Sequence, residues 1–334
     1  MDIARRSFDR QWLVADNRVL DRPRVELWEA ALRKGQFFLN QQSTHVIDSG
    51  AAVVATALIP DTDHFNGRGG RNIPILHPDG SANVAAGLLE YLARELGFES
   101  VTVQDLAAYT MAVAGHTVFT EHFSEELLTP GVRLPITRNR DIWQRAVSIG
   151  AEVLWASTYG ARYADPENGR PTGAVEFPQN DSRQIRYLTH IGVAVPEKPR
   201  YDAEAQTLHV GLGSFNPVPE DVWTFEVGGK QVLRTWFGYR KASPNNKKTS
   251  PLDDIHVPSW PSEWTTELLE LLSTLRRLVD LVPVQRDLLA EILAGPVVTE
   301  AELKAAGVFP VTDAARNMRR NIAEGLFAEQ DGDA

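Results

Sequence analysis

The sequence predicts an α+β fold, with a mixed sheet region, a helical insert near residues 83–159 and a C-terminal helical bundle. Three observations carry this. Short β-branched and aromatic runs bounded by Gly, Pro and Asn occur before residue 77 and again after residue 185. Between them the apolar spacing turns helical, with Val84, Leu88, Leu92 and Leu96 four residues apart and Gly97 as a stop. From Ser262 a leucine-rich amphipathic pattern takes over. The 334 residues are 43% hydrophobic and 23% charged, enough to bury a sizeable core. The Pro-, Gly- and Asn-rich segment Ala164 to Asp181 is expected to divide an N-terminal α+β half, 1–165, from a C-terminal half, 182–334.

Taken in order, Gln11 to Val14 reads as a short strand, and Pro23 starts a helix over Val25 to Arg33. Phe37 to Leu39, Ala51 to Leu58 and Ile73 to Leu76 read as strands. The helical block continues over Thr102 to Ala114, Glu121 to Leu128 and Arg140 to Tyr159, broken at Pro130-Gly131. Arg186 to His190, Gly192 to Val195 and Thr207 to Val210 read as strands, with turns at Tyr201-Asp202 and Gly211-Leu212-Gly213. Glu220 and Asp221 sit where a helix first turn favours acids. Leu268, Leu271, Leu272, Leu275 and Leu278 predict a long helix. Pro283 is expected to turn it into an antiparallel partner, Val284 to Leu293. Two short helices, Glu300 to Ala306 and Thr312 to Ala323, complete the reading.

There are no cysteines, so disulfides, thiolate metal sites and cysteine nucleophiles are excluded. No apolar run approaches the roughly 18 residues of a membrane span, and the N-terminus lacks a signal-peptide core, so a cytoplasmic protein without a membrane partner is expected. A formal net charge of -10 argues against indiscriminate coating of nucleic acid. The charge is uneven, however. Val227 to Leu252 contains no Asp or Glu but carries Lys230, Arg234, Arg240, Lys241, Lys247 and Lys248.

Around this segment, Trp223 to Lys241 interleaves two Trp, two Phe and one Tyr with basic side chains. Cations meet phosphates and flat rings stack on bases, so the pattern fits a nucleic-acid surface. The same aromatics equally fit a core with solvated charges around it. Gly67-Arg68-Gly69-Gly70-Arg71 could cradle a phosphate, although it lacks the Gly-Lys-Ser/Thr of a P-loop. The histidines show no metal spacing, His-Glu-x-x-His and Gly-x-Ser-x-Gly are absent, and no carboxylate couple stands out. No catalytic residue, metal or cofactor is therefore expected.

Several stretches taken together resemble a known family. They are Ser7-Phe8-Asp9-Arg10-Gln11-Trp12 with Asp21-Arg22-Pro23-Arg24, Gly69-Gly70-Arg71-Asn72-Ile73-Pro74, Pro78-Asp79-Gly80-Ser81-Ala82-Asn83-Val84, and Leu154-Trp155 with Thr158-Tyr159-Gly160. Further on come Tyr201-Asp202 with Thr207 to Val210, Trp223 to Gly229, Trp236-Phe237-Gly238-Tyr239-Arg240 and Ser250 to Ile255. In order and spread they resemble the C-terminal target-recognition, or specificity, region of type ISP restriction-modification enzymes. The resemblance implies a non-catalytic module that reads double-stranded DNA and presents the target adenine to a methyltransferase located elsewhere. It also implies that the chain begins near the junction with that methyltransferase, as an excised domain or a stand-alone product. On charge and loop position, phosphate contacts are expected from Arg68, Arg71, Lys230, Lys247 and Lys248, and base or groove contacts from Arg234, Arg240 and Lys241. The alternative is a descendant that contacts protein in phage defence or its regulation, with its acidic charge and leucine-rich C-terminal helices in support.

Overall fold

Alternating polar and apolar residues at the start of the chain pair as a hairpin, β1 (Asp2–Arg6) with β2 (Asp9–Trp12), which begins and ends two residues earlier than the strand Gln11 to Val14 expected from sequence. The computed structural model describes residues 1–16, 18–20, 23–65, 70–242, 257–312 and 314–319. Helix α1 (Val25–Ala31) leads to a three-stranded antiparallel sheet ordered β4 (Val53–Thr56), β3 (Phe38–Gln41), β5 (Arg71–Pro74). Every residue of β4 is buried, with helices of the following insert packed against it. Among the described residues all strand ladders are antiparallel, which corrects the mixed sheet expected from sequence; parallel pairing occurs there only as isolated bridges such as Ala4 with Pro60.

The helical insert is α2 (Leu88–Leu96), α3 (Val103–Ala114), α4 (Thr117–His122) and α5 (Arg140–Ser157). Local signals set the ends. Thr102 and Asp105 form a reciprocal capping box on α3, and the Asn139 side chain accepts from the Asp141 and Ile142 backbone at the start of α5. Small residues let α3 and α5 approach closely: Ala108 and Gly150 meet there, and a β-carbon on Gly150 would overlap the Ala108 carbonyl group. Gly150→Ala is expected to lower stability by about 1 to 3 kcal/mol in a urea titration, although alanine is the better helix former by about 1 kcal/mol.

The second sheet is antiparallel and four-stranded, ordered β6 (Arg186–Thr189), β9 (Gly213–Asn216), β8 (Thr207–Val210), β7 (Pro199–Asp202). Strand β7 stands where the sequence offered a turn at Tyr201-Asp202, whereas the turn expected at Gly211-Leu212-Gly213 forms and leads into β9; Gly192 to Val195 is irregular rather than a strand. One face, made by Tyr187, Phe215, Leu208 and Tyr201 in register, turns inward. Helices α6 (Glu220–Trp223) and α7 (Val232–Gly238) cover it, together with the start of α8 (Ser262–Ala294).

Helix α8 is continuous over 33 residues, so the helical pair expected at Pro283 does not form. The reason is periodicity. Leu268, Leu275 and Leu289, and Leu271, Leu278, Gln285 and Ile292, keep a seven-residue repeat in phase through the proline and are all buried. Pro283 itself is exposed, on the side where water meets the carbonyl left without a donor. Just past it, the buried Gln285 side chain donates to the Met111 and Ala112 carbonyls at the end of α3. The chain continues through α9 (Glu300–Ala305), capped by Thr299 and Glu302. Of the expected Thr312 to Ala323 helix, a single short turn at Ala314–Arg316 falls among the described residues. One cluster of buried apolar side chains runs from Phe8 to Val308. The segment at 164–181 is pinned to it by buried Val175 and Phe177 and by Arg277, which donates to the Val175 and Glu176 carbonyls.

Candidate nucleic-acid interface

The aromatic stretch folds as a short hairpin followed by a helix. Gly228 and Gly229 have φ of 52° and 74°, the left-handed geometry that a two-residue turn needs to join β10 (Glu226–Val227) to β11 (Lys230–Gln231). The hairpin is docked on residues 48–51: Ala51 N–H donates to the Glu226 carbonyl at 3.2 Å and Ser49 donates to the Glu226 carboxylate at 2.8 Å. In α7, Val232, Leu233, Trp236 and Phe237 point inward, which leaves Arg234 and Tyr239 outside. Trp223, Val227, Val232, Trp236 and Phe237 are thus core, not a stacking platform.

Among the described residues, Arg240 is the predicted contact that the fold buries. It is 5% exposed, ion-paired with Asp9 at 2.8 Å and Glu267 at 2.9 Å, and sits 4.1 Å from the Trp236 ring centroid. Its guanidinium also donates to the Trp236 carbonyl. The expectation that Arg240 reads bases is corrected accordingly: no face of it is open to a groove. Asp9 is 1% exposed, and burial raises its pKa despite the opposing pull of Arg240; burial raises Glu267 in the same way. Alongside, Arg10 pairs with Glu270 and lies 4.1 Å from the Tyr159 ring centroid, whose hydroxyl donates to the Phe8 carbonyl. This cluster ties the N-terminal hairpin, the end of α5, α7 and α8 into one unit.

The other predicted cations part into two places. Arg71 is exposed at the start of β5 opposite Gln41, and Lys230 is exposed on the β10–β11 hairpin. Arg234 and Lys241 instead flank the edge strand β7. Arg234 lies 5.3 Å from the Trp223 ring centroid, and Trp223 stacks on Tyr201 of β7 with centroids 5.4 Å apart. Lys241 precedes Ala242, whose N–H donates to the Pro196 carbonyl at 2.9 Å. Arg68, Lys247 and Lys248 lie outside the described residues.

The structure adds cations that the sequence reading missed. The outer face of the four-stranded sheet carries Arg200, His209, Ser214 and Thr189 in one row across all four strands, with exposed Arg186 on the same face. Lys198, two residues before Arg200, is exposed as well. Among the described residues none of Arg186, Lys198, Arg200, Lys230 and Lys241 forms an ion pair, whereas Arg183 and Arg240 each have two carboxylates. The alternation Lys198-Pro199-Arg200-Tyr201 was the available signal: two cations outward, two apolar residues inward. The far end of the same sheet is acidic. There Asp202 and the first-turn residues Glu220 and Asp221 add to burial in pushing the Tyr201 hydroxyl pKa upward. No group of metal-binding side chains occurs among the described residues, and no helix there is long and apolar enough to cross a membrane.

A family model described as the type ISP C-terminal specificity domain matches residues 1–271. The chain belongs to that family. A comparison with curated proteins gives no match. Among solved structures, the chain is similar to a nuclease-deletion mutant of the type ISP restriction-modification enzyme LlaGI in complex with a DNA substrate mimic. The TM-score is 0.56 at 16% identity, over 90% of this chain and 25% of that one. It is also similar to DrdV in a DNA complex (TM-score 0.59, 14% identity, 89% of this chain, 28% of that one). A third is the ATP-dependent type ISP enzyme LlaBIII bound to DNA (TM-score 0.57, 14% identity, 89% of this chain, 18% of that one). At such identities the likeness is one of fold, and the chain spans 18 to 28% of the length of these proteins. In this type ISP specificity domain, motif residues far apart in sequence meet as framework. Asp9, Arg10, Tyr159, Trp236 and Arg240, all within the stretches that carry the resemblance, converge on the buried ion-pair cluster.

Proposed function

We propose that the chain is a non-catalytic reader of double-stranded DNA sequence in a restriction-modification or phage-defence system, acting in the cytoplasm and presenting the duplex to a methyltransferase located elsewhere. The observation that carries this reading is the unpaired cationic rim at β7, a local positive surface on a chain of net charge -10. Phosphates are the ligands that such a rim favours. The DNA bound to LlaGI, DrdV and LlaBIII supports the same ligand class. Phosphate contacts are assigned to Lys241 and Arg234 first, with Arg71, Lys230, Arg68, Lys247 and Lys248 as further contacts; Arg240 takes no part.

A second reading, a contact with protein, is favoured by Trp12, which is 83% exposed at the end of the N-terminal hairpin beside exposed Val14. The two are separated by titrating a randomised duplex pool over a range of salt concentrations. Affinity should fall steeply with salt, and Lys241→Ala should reduce the log-log slope by about 0.9, the share of one phosphate contact. Absence of duplex binding at low salt would overturn the DNA reading in favour of a protein partner.

A further inference from the structure

We propose that the tip of the β8–β9 hairpin, Gly211-Leu212, with Val193 beside it, enters a groove of the bound duplex as an apolar wedge, while Lys198, Arg200 and Lys241 hold phosphates on its flanks. The proposal rests on the reading of the chain as a DNA reader and specifies where that reading takes place. Leu212 is 78% exposed and Val193 is 75% exposed, among the most exposed large apolar residues described. They are neighbours: Leu212 N–H donates to the Ile191 carbonyl at 3.0 Å, and a β-carbon on Gly192 would lie 3.5 Å from a terminal carbon of Leu212. Scattered apolar residues on a surface are ordinary. Two side by side on a braced tip within a cationic frame are not.

The tip is held firmly. Gly211 has φ of 57°, and a β-carbon there would come within 2.7 Å of the Ile191 carbonyl oxygen, so the turn is packed against a segment whose Ile191 is buried. A two-stranded ribbon of this kind is narrow enough for the major groove, and apolar side chains recognise the thymine methyl there or wedge between base steps. Charge selects the occupant. In the segments that frame the tip, residues 189–200, 207–216 and 236–242, Glu197 is the single carboxylate against the exposed cations Lys198, Arg200 and Lys241, Arg240 being buried against its own two carboxylates. The acidic residues of this sheet lie at its other end, near Asp202 and Glu204.

The backbone also packs Ala242 and Trp260 here. Ala242 N–H donates to the Pro196 carbonyl and Trp260 N–H donates to the Val193 carbonyl, each at 2.9 Å, so both residues are fixed beside the segment that braces the tip. A polyanion matches these surroundings better than an acidic or neutral protein surface does.

The absence of cysteine makes a direct test available. Leu212→Cys and Glu204→Cys each introduce a single thiol, at exposed positions at the two ends of one sheet. Each is labelled with a thiol-reactive photo-crosslinker and irradiated with duplexes selected from a randomised pool. Cross-linking from Leu212→Cys and little from Glu204→Cys is the expected result. In parallel, Leu212→Asp should weaken duplex binding about tenfold, the cost of a lost groove contact. Equal cross-linking from both positions, or unchanged affinity in Leu212→Asp, would overturn this proposal while salt-sensitive binding by the unaltered chain left the DNA reading standing. No duplex binding by the unaltered chain would overturn both.

Discussion

Arg240→Ala is expected to lower the free energy of unfolding by about 3 to 5 kcal/mol, because it leaves Asp9 charged and buried without its cation. Asp9 is 1% exposed, with Arg240 at 2.8 Å, and Glu267 loses its pairing in the same step. The contrast is Arg276→Ala, which removes a helix-surface pair with Asp280 four residues on and should cost about 1 kcal/mol or less. Urea denaturation of the two variants measures the difference, and equal midpoints would refute the structural role given to Arg240. Asp9→Asn placed in the Arg240→Ala background should recover part of the loss, since a buried amide is cheaper than an unpaired carboxylate. Under conditions where the Arg240 variant stays folded, its duplex affinity should stay within about twofold, because the guanidinium has no open face for DNA.

Lowering the pH from 8 to 5 is expected to remove about 4 kcal/mol of stability, roughly half from each of two histidines. Burial pushes the pKa of His64 and of His116 down to about 4. The unfolded chain takes up a proton near the ordinary value of 6.5, whereas the folded chain holds both rings neutral to about pH 4. Their contribution is therefore complete above pH 6.5 and is lost as the pH falls from there to about 4. Asp9 and Glu267 work in the opposite sense: burial raises both, so their contribution is fullest at low pH and declines as the pH climbs through the raised values. They offset part of the histidine loss at the acid end. Denaturation curves at several pH values, with His116→Leu as the variant that should lose about half of the dependence, provide the check; a flat profile between pH 8 and 5 would refute the assignment.

Much of the secondary structure was legible because its signals are local. The Thr102 and Asp105 cap, the Asn139 cap and the Gly97 stop are adjacent in sequence to the helices that they bound. Where reading failed, a local signal competed with a longer one. Pro283 reads as a break, but the leucine repeat on either side stays in phase, and burial of that stripe outweighs one missing hydrogen bond at an exposed turn. Strand β7 was hidden because Tyr201-Asp202 looks like a turn; its partner across the ladder, Thr207 with Leu208, decides otherwise. The division of the aromatic stretch into framework and outward cations was readable for Trp223, Val232 and Trp236. It was not readable for Arg240, which carries the same charge and neighbours as Lys241.

Composition and pattern alone determined the α+β class, the absence of any cysteine chemistry, the cation-rich segment from Val227 to Leu252, and the set of motifs that mark the family. These are properties of single stretches, fixed by periodicity, caps, turn residues and charge. The tertiary structure alone decided which cations face outward. A guanidinium is a solvated surface charge or a buried strut according to whether a carboxylate such as Asp9 is brought to it from the other end of the chain, and a short segment carries no record of that partner. For the same reason the grouping of Lys198, Arg200, Arg234 and Lys241 around β7, and of Leu212 with Val193 at its tip, exists only once the strands have paired.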